Sequence, residues 1–87
     1  MNTTNLSSLV ENTKLQMAAI TGLQYDTISQ FDRAEDGWKI VIDMVEYRSI
    51  PRTQDLLSTF EVMLDQAGEV IRWRRTGRFT RGQHGLG

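Results

Sequence analysis

The hydrophobic period of this chain changes once, at Gly22, and that change decides its fold class. Before it, Leu6, Leu9, Val10, Thr13, Met17 and Ile20 fall within an arc of about 100° at the helical repeat, a single stripe for a core. After it, apolar residues recur at every second position, in runs separated by Asp36-Gly37, Ile50-Pro51 and Gln66-Ala67-Gly68. The two periods place side chains on incompatible sets of faces, so the chain predicts one helix followed by strands. Thr3, Thr4 or Asn5 can cap the helix start, Ser8 and Glu11 offer a competing capping box, and Gly22 supplies a left-handed stop. Asn12, Gln16 and Leu15 lie off the stripe and are expected in solvent.

Four strands follow. Residues 23–33 read as a bulged strand with Tyr25 and Phe31 on one face and Ile28 on the other. Asp36-Gly37 turns the chain into a second strand, Trp38 to Tyr47. There Trp38, Ile40, Ile42 and Met44 form an inner row, and Lys39, Val41, Asp43, Val45 and Tyr47 an outer one. Pro51 lacks a ladder donor and marks a loop. Leu56 to Asp65 makes the third strand, with Leu56, Ser58, Phe60, Val62 and Leu64 inward. Val70 to Phe79 makes the fourth, with Ile71, Trp73, Arg75, Gly77 and Phe79 inward and Val70, Arg72, Arg74, Thr76 and Arg78 outward. The expected architecture is α+β: an N-terminal helix (residues 1–22) packed on a four-stranded antiparallel meander sheet (23–80), together one domain, with a flexible glycine-rich tail (81–87). Trp38, Phe60 and Trp73 are the expected core anchors.

Composition now narrows the chemistry. A chain of 87 residues builds one thin core and leaves little room for an enclosed active site. It has no cysteine, which excludes a disulfide scaffold, a cysteine nucleophile and a thiolate metal site; its single histidine, His84, excludes a multi-histidine one. Asp43, Glu46 and Glu61 could be mistaken for paired catalytic carboxylates, but they sit among arginines and read as cross-strand charge pairs. The glycines at 82, 85 and 87 follow no parallel strand and precede no helix, so they make no phosphate loop. The expectation is a non-enzyme with no cofactor and no metal. No apolar run approaches the ~18 residues of a membrane span, and the N-terminus lacks a basic region with an apolar run behind it, so the expected compartment is the cytoplasm.

The net charge of −1 conceals an asymmetry: residues 1–69 carry all eleven acidic side chains against five basic ones, and residues 70–87 carry five arginines and no acid. Either internal pairing or a basic face for a partner follows. With the inner rows under the helix, Val41, Val45, Tyr47 and Met63 face outward as an apolar patch rimmed by Asp43, Glu61, Arg72 and Arg74. Because the third and fourth strands are neighbours, Glu61 and Met63 should lie beside Arg72 and Arg74. The expected partner-binding set is Val41, Val45, Tyr47, Glu61, Met63, Arg72, Arg74 and Arg78, acting on another protein or on a second copy of the chain. A small nucleic-acid-binding or regulatory module using the arginine strand is the alternative. It is disfavoured because Trp73 and Phe79, assigned to the core, could not stack on bases.

The order of motifs Gly37-Trp38, Val41-Ile42-Asp43-Met44-Val45-Glu46, Ile50-Pro51, Asp55-Leu56-Leu57, Phe60-Glu61-Val62, Leu64-Asp65, Gly68-Glu69 and Trp73-Arg74-Arg75 through Arg78-Phe79-Thr80-Arg81 resembles the gas vesicle protein O family over roughly residues 20–82. Where that family often carries tyrosine, this chain has Phe60, Trp73 and Phe79. The resemblance implies a non-enzymatic accessory role in vesicle assembly, in the cytoplasm and in association with the vesicle, with other gas vesicle proteins as partners.

Overall fold

A computed structural model describes residues 6–84 of the chain. Helix α1 spans Leu6–Thr21, and strands β1 to β4 span Gln24–Ala34, Gly37–Tyr47, Leu56–Asp65 and Val70–Thr80. A 3-10 turn at Arg52–Gln54 follows the cis Ile50–Pro51 peptide, and a single helical turn, α2, covers Arg81–His84. The strands form one antiparallel sheet in the order β1-β2-β3-β4, so the fold is the expected α+β meander. The capping candidates Thr3, Thr4 and Asn5 lie outside the described residues, and α1 runs straight through Ser8. Gly22 ends the helix at φ +75°, its N–H closing onto the Ala18 carbonyl at 2.8 Å.

The core lies between α1 and the two central strands. Leu9 and Met17 pack on Ile40, Ile42, Met44, Phe60, Val62 and Leu64. Thr13 sits among them fully buried, its hydroxyl donating to the Leu9 carbonyl at 2.7 Å. The predicted inner rows hold here because alternation is unbroken: Trp38 faces Leu64, Ile40 faces Val62 and Ile42 faces Phe60.

The edge strands depart from the predicted rows, and bulges are the cause. In β1 the ladder skips at Asp26 and again at Ser29, so Tyr25, Ile28 and Phe31 pair with Met44, Ile42 and Ile40 and all three pack on the core. Ile28 therefore shares the face of Tyr25 and Phe31 rather than opposing them. In β4 the ladder skips at Ile71 and Thr76. Alternation is regular only from Arg72 to Arg75. Outside that window the faces exchange: Val70 turns to the core, Arg78 pairs with Ser58 of the inner row, and Phe79 pairs with outward-facing Leu57. Trp73 keeps its inner position but is 43% exposed, so it is no core anchor; its ring meets Phe60 edge-on at 5.7 Å. Phe60 is buried as expected, and Trp38 is half-buried against Phe31.

Width explains why β4 is left open. A helix with its side chains is about 10 Å across and strands are about 4.8 Å apart, so one helix covers about two strands of four. α1 is also fastened obliquely. Near its start, Leu9 touches the β3–β4 turn, where a Cβ on Gly68 would come within 2.9 Å of the Leu9 side chain. Gln16 donates to the Gly68 carbonyl at 2.8 Å and accepts from the Val70 N–H at 2.8 Å, and Asn12 adds a bond to Gly68 at 3.2 Å. These two polar residues, expected in solvent, are hooks that hold the helix to the sheet; Leu15 stays exposed as expected. At its far end α1 feeds directly into β1. It thus crosses from the β3–β4 turn towards β1 and leaves the far half of β4 uncovered.

Within the segment expected as a flexible glycine-rich tail, residues 81–84 take regular structure. Arg81–His84 form a helical turn, the Arg81 N–H donates to the Asp55 carbonyl at 3.0 Å, and Gly82 lies against Thr53. Residues 85–87 and the side chains of Gln83 and His84 lie outside the described set.

Candidate partner-binding surfaces

The sheet face away from α1 holds most of the predicted partner surface. Register places Val41 beside Glu61 and Glu61 beside Arg74, and places Lys39, Met63 and Arg72 in the adjoining row. Val41 and Met63 are half-buried, and Arg72 and Arg74 are exposed. Glu61 bridges two cations, Lys39 at 3.1 Å and Arg74 at 3.2 Å, and these bonds hold its carboxyl below the usual glutamate range. Arg72 makes no ion pair among the described residues. The juxtaposition of Glu61 and Met63 with Arg74 and Arg72 is the expected one.

Three members of the predicted set are not part of this exposed surface. Val45 is only 6% exposed and lies in a cross-sheet row with buried Leu57 and half-buried Phe79. Tyr47 is exposed but pairs with Leu56 beyond a bulge at Glu46, so it does not continue the Val41–Val45 row. Arg78 is carried by the Thr76 bulge to the helix side of the sheet. Asp43, expected on the rim, is buried and accepts a 2.7 Å hydrogen bond from Thr59.

The chain beyond β4 is tied back onto the sheet. The Arg81 guanidinium reaches Asp26 at 2.9 Å and Asp55 at 3.1 Å. Asp26 belongs to the opposite edge strand, β1, three strand spacings from β4. The turn after β4 lies against the 3-10 turn before β3, with Gly82 on Thr53, and the Arg81 side chain spans from there to both carboxylates. Asp55 is fully buried and also accepts the Ser49 N–H at 2.8 Å. That bond and Arg81 hold its carboxyl below the usual aspartate range, while Asp26 and Asp55 push Arg81 higher still. This clasp was invisible in the sequence, where glycines on either side of His84 suggested only fraying.

On the helix side, the uncovered half of β4 forms a groove of about 360 Å³. Ile20 and Leu23 make one wall, Phe60 and Trp73 the floor, and Glu46 and Arg75 the polar end. Glu46, pushed out by its bulge, accepts a hydrogen bond from Ser58 and pairs with Arg75 and Arg78, each at 3.1 Å. The Ser58 bond and the two arginines lower its pKa. The three acidic residues read as charge pairs thus split: Glu46 and Glu61 bind arginines on opposite faces, and Asp43 binds threonine. Sequence reasoning missed the groove because it placed Trp73 in the core.

Among the described residues no helix is long and apolar enough to cross a membrane, and no three His, Cys, Asp or Glu side chains gather as a metal site. No solved structure matches the chain. Among known proteins it is 40% identical over 68 residues to a gas vesicle protein O from Streptomyces sp. (strain CB03234), covering 78% of this chain and 53% of that protein. It is 30% identical over 59 residues to gas vesicle protein O1 of Halobacterium salinarum, covering 68% of this chain and 50% of that one. To gas vesicle protein O of Haloferax mediterranei it is 33% identical over 60 residues, 68% of this chain and 43% of that one. The chain spans about half the length of these relatives. A match to the family described as gas vesicle synthesis protein GvpO runs through residues 1–85, from α1 to the turn that clasps the sheet, and the chain belongs to that family.

Proposed function

We propose that this protein supports gas vesicle assembly in the cytoplasm as a non-enzymatic accessory factor, by contact with other vesicle proteins. The observation that carries the reading is the outer sheet face. It combines an apolar centre at Val41 and Met63 with exposed arginines whose removal costs the fold little, since a surface ion pair contributes only about 0–1 kcal/mol. Arginine is favoured in such contacts because its fork pairs with carboxylates and its plane stacks. The test is deletion of the gene in its host, followed by complementation with wild type or with Arg72→Glu plus Arg74→Glu. Loss of vesicles on deletion, restored by the wild type and poorly by the folded double variant, supports the reading. Normal vesicles in the deletion strain overturn it.

One observation favours a second reading. Trp73 is exposed on the same face as Arg75 and Arg78, so an aromatic does stand beside cations on this strand, contrary to the expectation that it was buried. That arrangement suits base stacking on a single strand of nucleic acid. Titration of labelled DNA and RNA at several salt concentrations separates the readings, because phosphate contacts weaken steeply with salt.

A further inference from the structure

We infer that the groove between α1 and β4 receives an amphipathic helix of a partner protein, with acidic residues along the flank that faces β4. The inference rests on the contact role proposed above and assigns it a second, separate surface on the helix side of the sheet. Geometry comes first. The sheet is wide enough for two helices and α1 occupies one place; the other lies over Phe60 and Trp73, walled by Ile20 and Leu23. From Trp73 to Arg78, with one bulged residue, the open strand runs about 13 Å, the length of about nine residues of helix. Exposure agrees: Ile20 and Trp73 are each 43% exposed and converge on this space.

Charge then selects the occupant. The β4 wall presents Arg75 and Arg78 against the single carboxylate of Glu46, leaving one positive charge in excess. The opposite wall contributes no charge: it is lined by Ile20, Thr21 and Leu23. A helix with glutamates towards β4 and small or neutral residues towards α1 complements both walls. A second copy of this chain does not, because α1 carries one acid and one base, Glu11 and Lys14, already paired with each other at 3.0 Å. Apposed β4 strands would also bring arginine against arginine. An oligonucleotide is the competing occupant: it can stack on Trp73, but Glu46 stands between the two arginines that would hold its phosphate, so the acidic helix fits the place better.

The experiment uses the whole chain, isotope-labelled for NMR, against overlapping twenty-residue peptides tiled from the other gas vesicle proteins of the source organism. The expected result is that acidic amphipathic tiles bind, shift the Trp73 indole and the Ile20, Leu23 and Phe60 signals, and blue-shift Trp73 emission. Trp73→Ser and Arg75→Glu should each weaken those tiles about tenfold or more, while Leu15→Ala, exposed on α1 and outside the groove lining, leaves them within about twofold. Circular dichroism confirms that each variant is folded. The inference is overturned if no tile binds in a Trp73-dependent way, if lysine-rich tiles bind there as well as acidic ones, or if an RNA or DNA oligonucleotide or a second copy of the chain occupies the groove instead. Vesicle loss on gene deletion together with such a result would remove the groove from the mechanism and leave the accessory role standing.

Discussion

Gln16 offers a sharp test of how the helix is held, because a polar residue outside the apolar stripe is claimed to fasten α1 to the sheet. Its side-chain amide donates to the Gly68 carbonyl and accepts from the Val70 N–H, each at 2.8 Å. An intramolecular hydrogen bond contributes about 0.5–1.5 kcal/mol net, so the pair contributes about 2 kcal/mol. Alanine returns about 0.4 kcal/mol through its better helix propensity. Gln16→Ala should therefore destabilise the protein by about 1.5 kcal/mol, equivalent to about 6–12 °C in Tm for a domain of this size. Gln16→Glu keeps the acceptor for Val70 but loses the donor to Gly68, and should fall between wild type and alanine. Leu15→Ala, one residue away and 70% exposed, is the control and should change stability by less than about 0.5 kcal/mol. Thermal unfolding followed by circular dichroism reads all three. If Gln16→Ala melts with Leu15→Ala, the hooks contribute nothing and α1 is held by its apolar stripe alone.

Phe60→Ala should cost about 3–5 kcal/mol, whereas Trp73→Ala, at an exposed position, should cost far less; equal melting temperatures for the two would return Trp73 to the core. Gly37→Ala should lower stability or solubility sharply, because a Cβ there would sit 1.9 Å from the Leu64 carbonyl oxygen; a wild-type melting curve would refute that close approach. The lowered pKa values of Glu46, Asp55 and Glu61 make their stabilisation complete above the ordinary carboxylate range and progressively lost as pH falls through the lower folded-state values. Tm should therefore drop between about pH 5 and pH 2. Glu46→Gln should flatten that slope, and an unchanged slope would show that its arginine pairs contribute nothing to it.

What could be read from the residues and what could not divides along the sheet. β2 and β3 alternate without interruption from Trp38 to Met44 and from Ser58 to Leu64, so period alone places their side chains. The edge strands carry two bulges each, and every bulge exchanges the two faces beyond it. In β1 the bulges leave a trace, since Tyr25, Ile28 and Phe31 are spaced by three, a period that belongs to neither a plain strand nor a helix. In β4 the mixed arginines and aromatics carry no such trace, and of its predicted outward arginines unbroken alternation places only Arg72 and Arg74 on the outer face. The clasp was hidden for another reason: Asp26, Asp55 and Arg81 lie far apart in sequence, and nothing in their neighbourhoods marks them for one another.

The Arg81 clasp also determines how the sheet yields to force. β4 is an edge strand, and an edge strand pulled from its end ordinarily peels away one hydrogen bond at a time. Here a load applied beyond Arg81 meets Asp55 and Asp26 first, and through them the loop before β3 and the far edge at β1. The two margins of the sheet are loaded together, so resistance is shared across its width. The opposite end, where the β3–β4 turn is tied to α1 through Asn12, Gln16 and the contact with Leu9, carries no ion pair across the sheet among the described residues and is the compliant one. Tension would begin unfolding there, by lifting α1 from the turn, while the clasped end stayed closed.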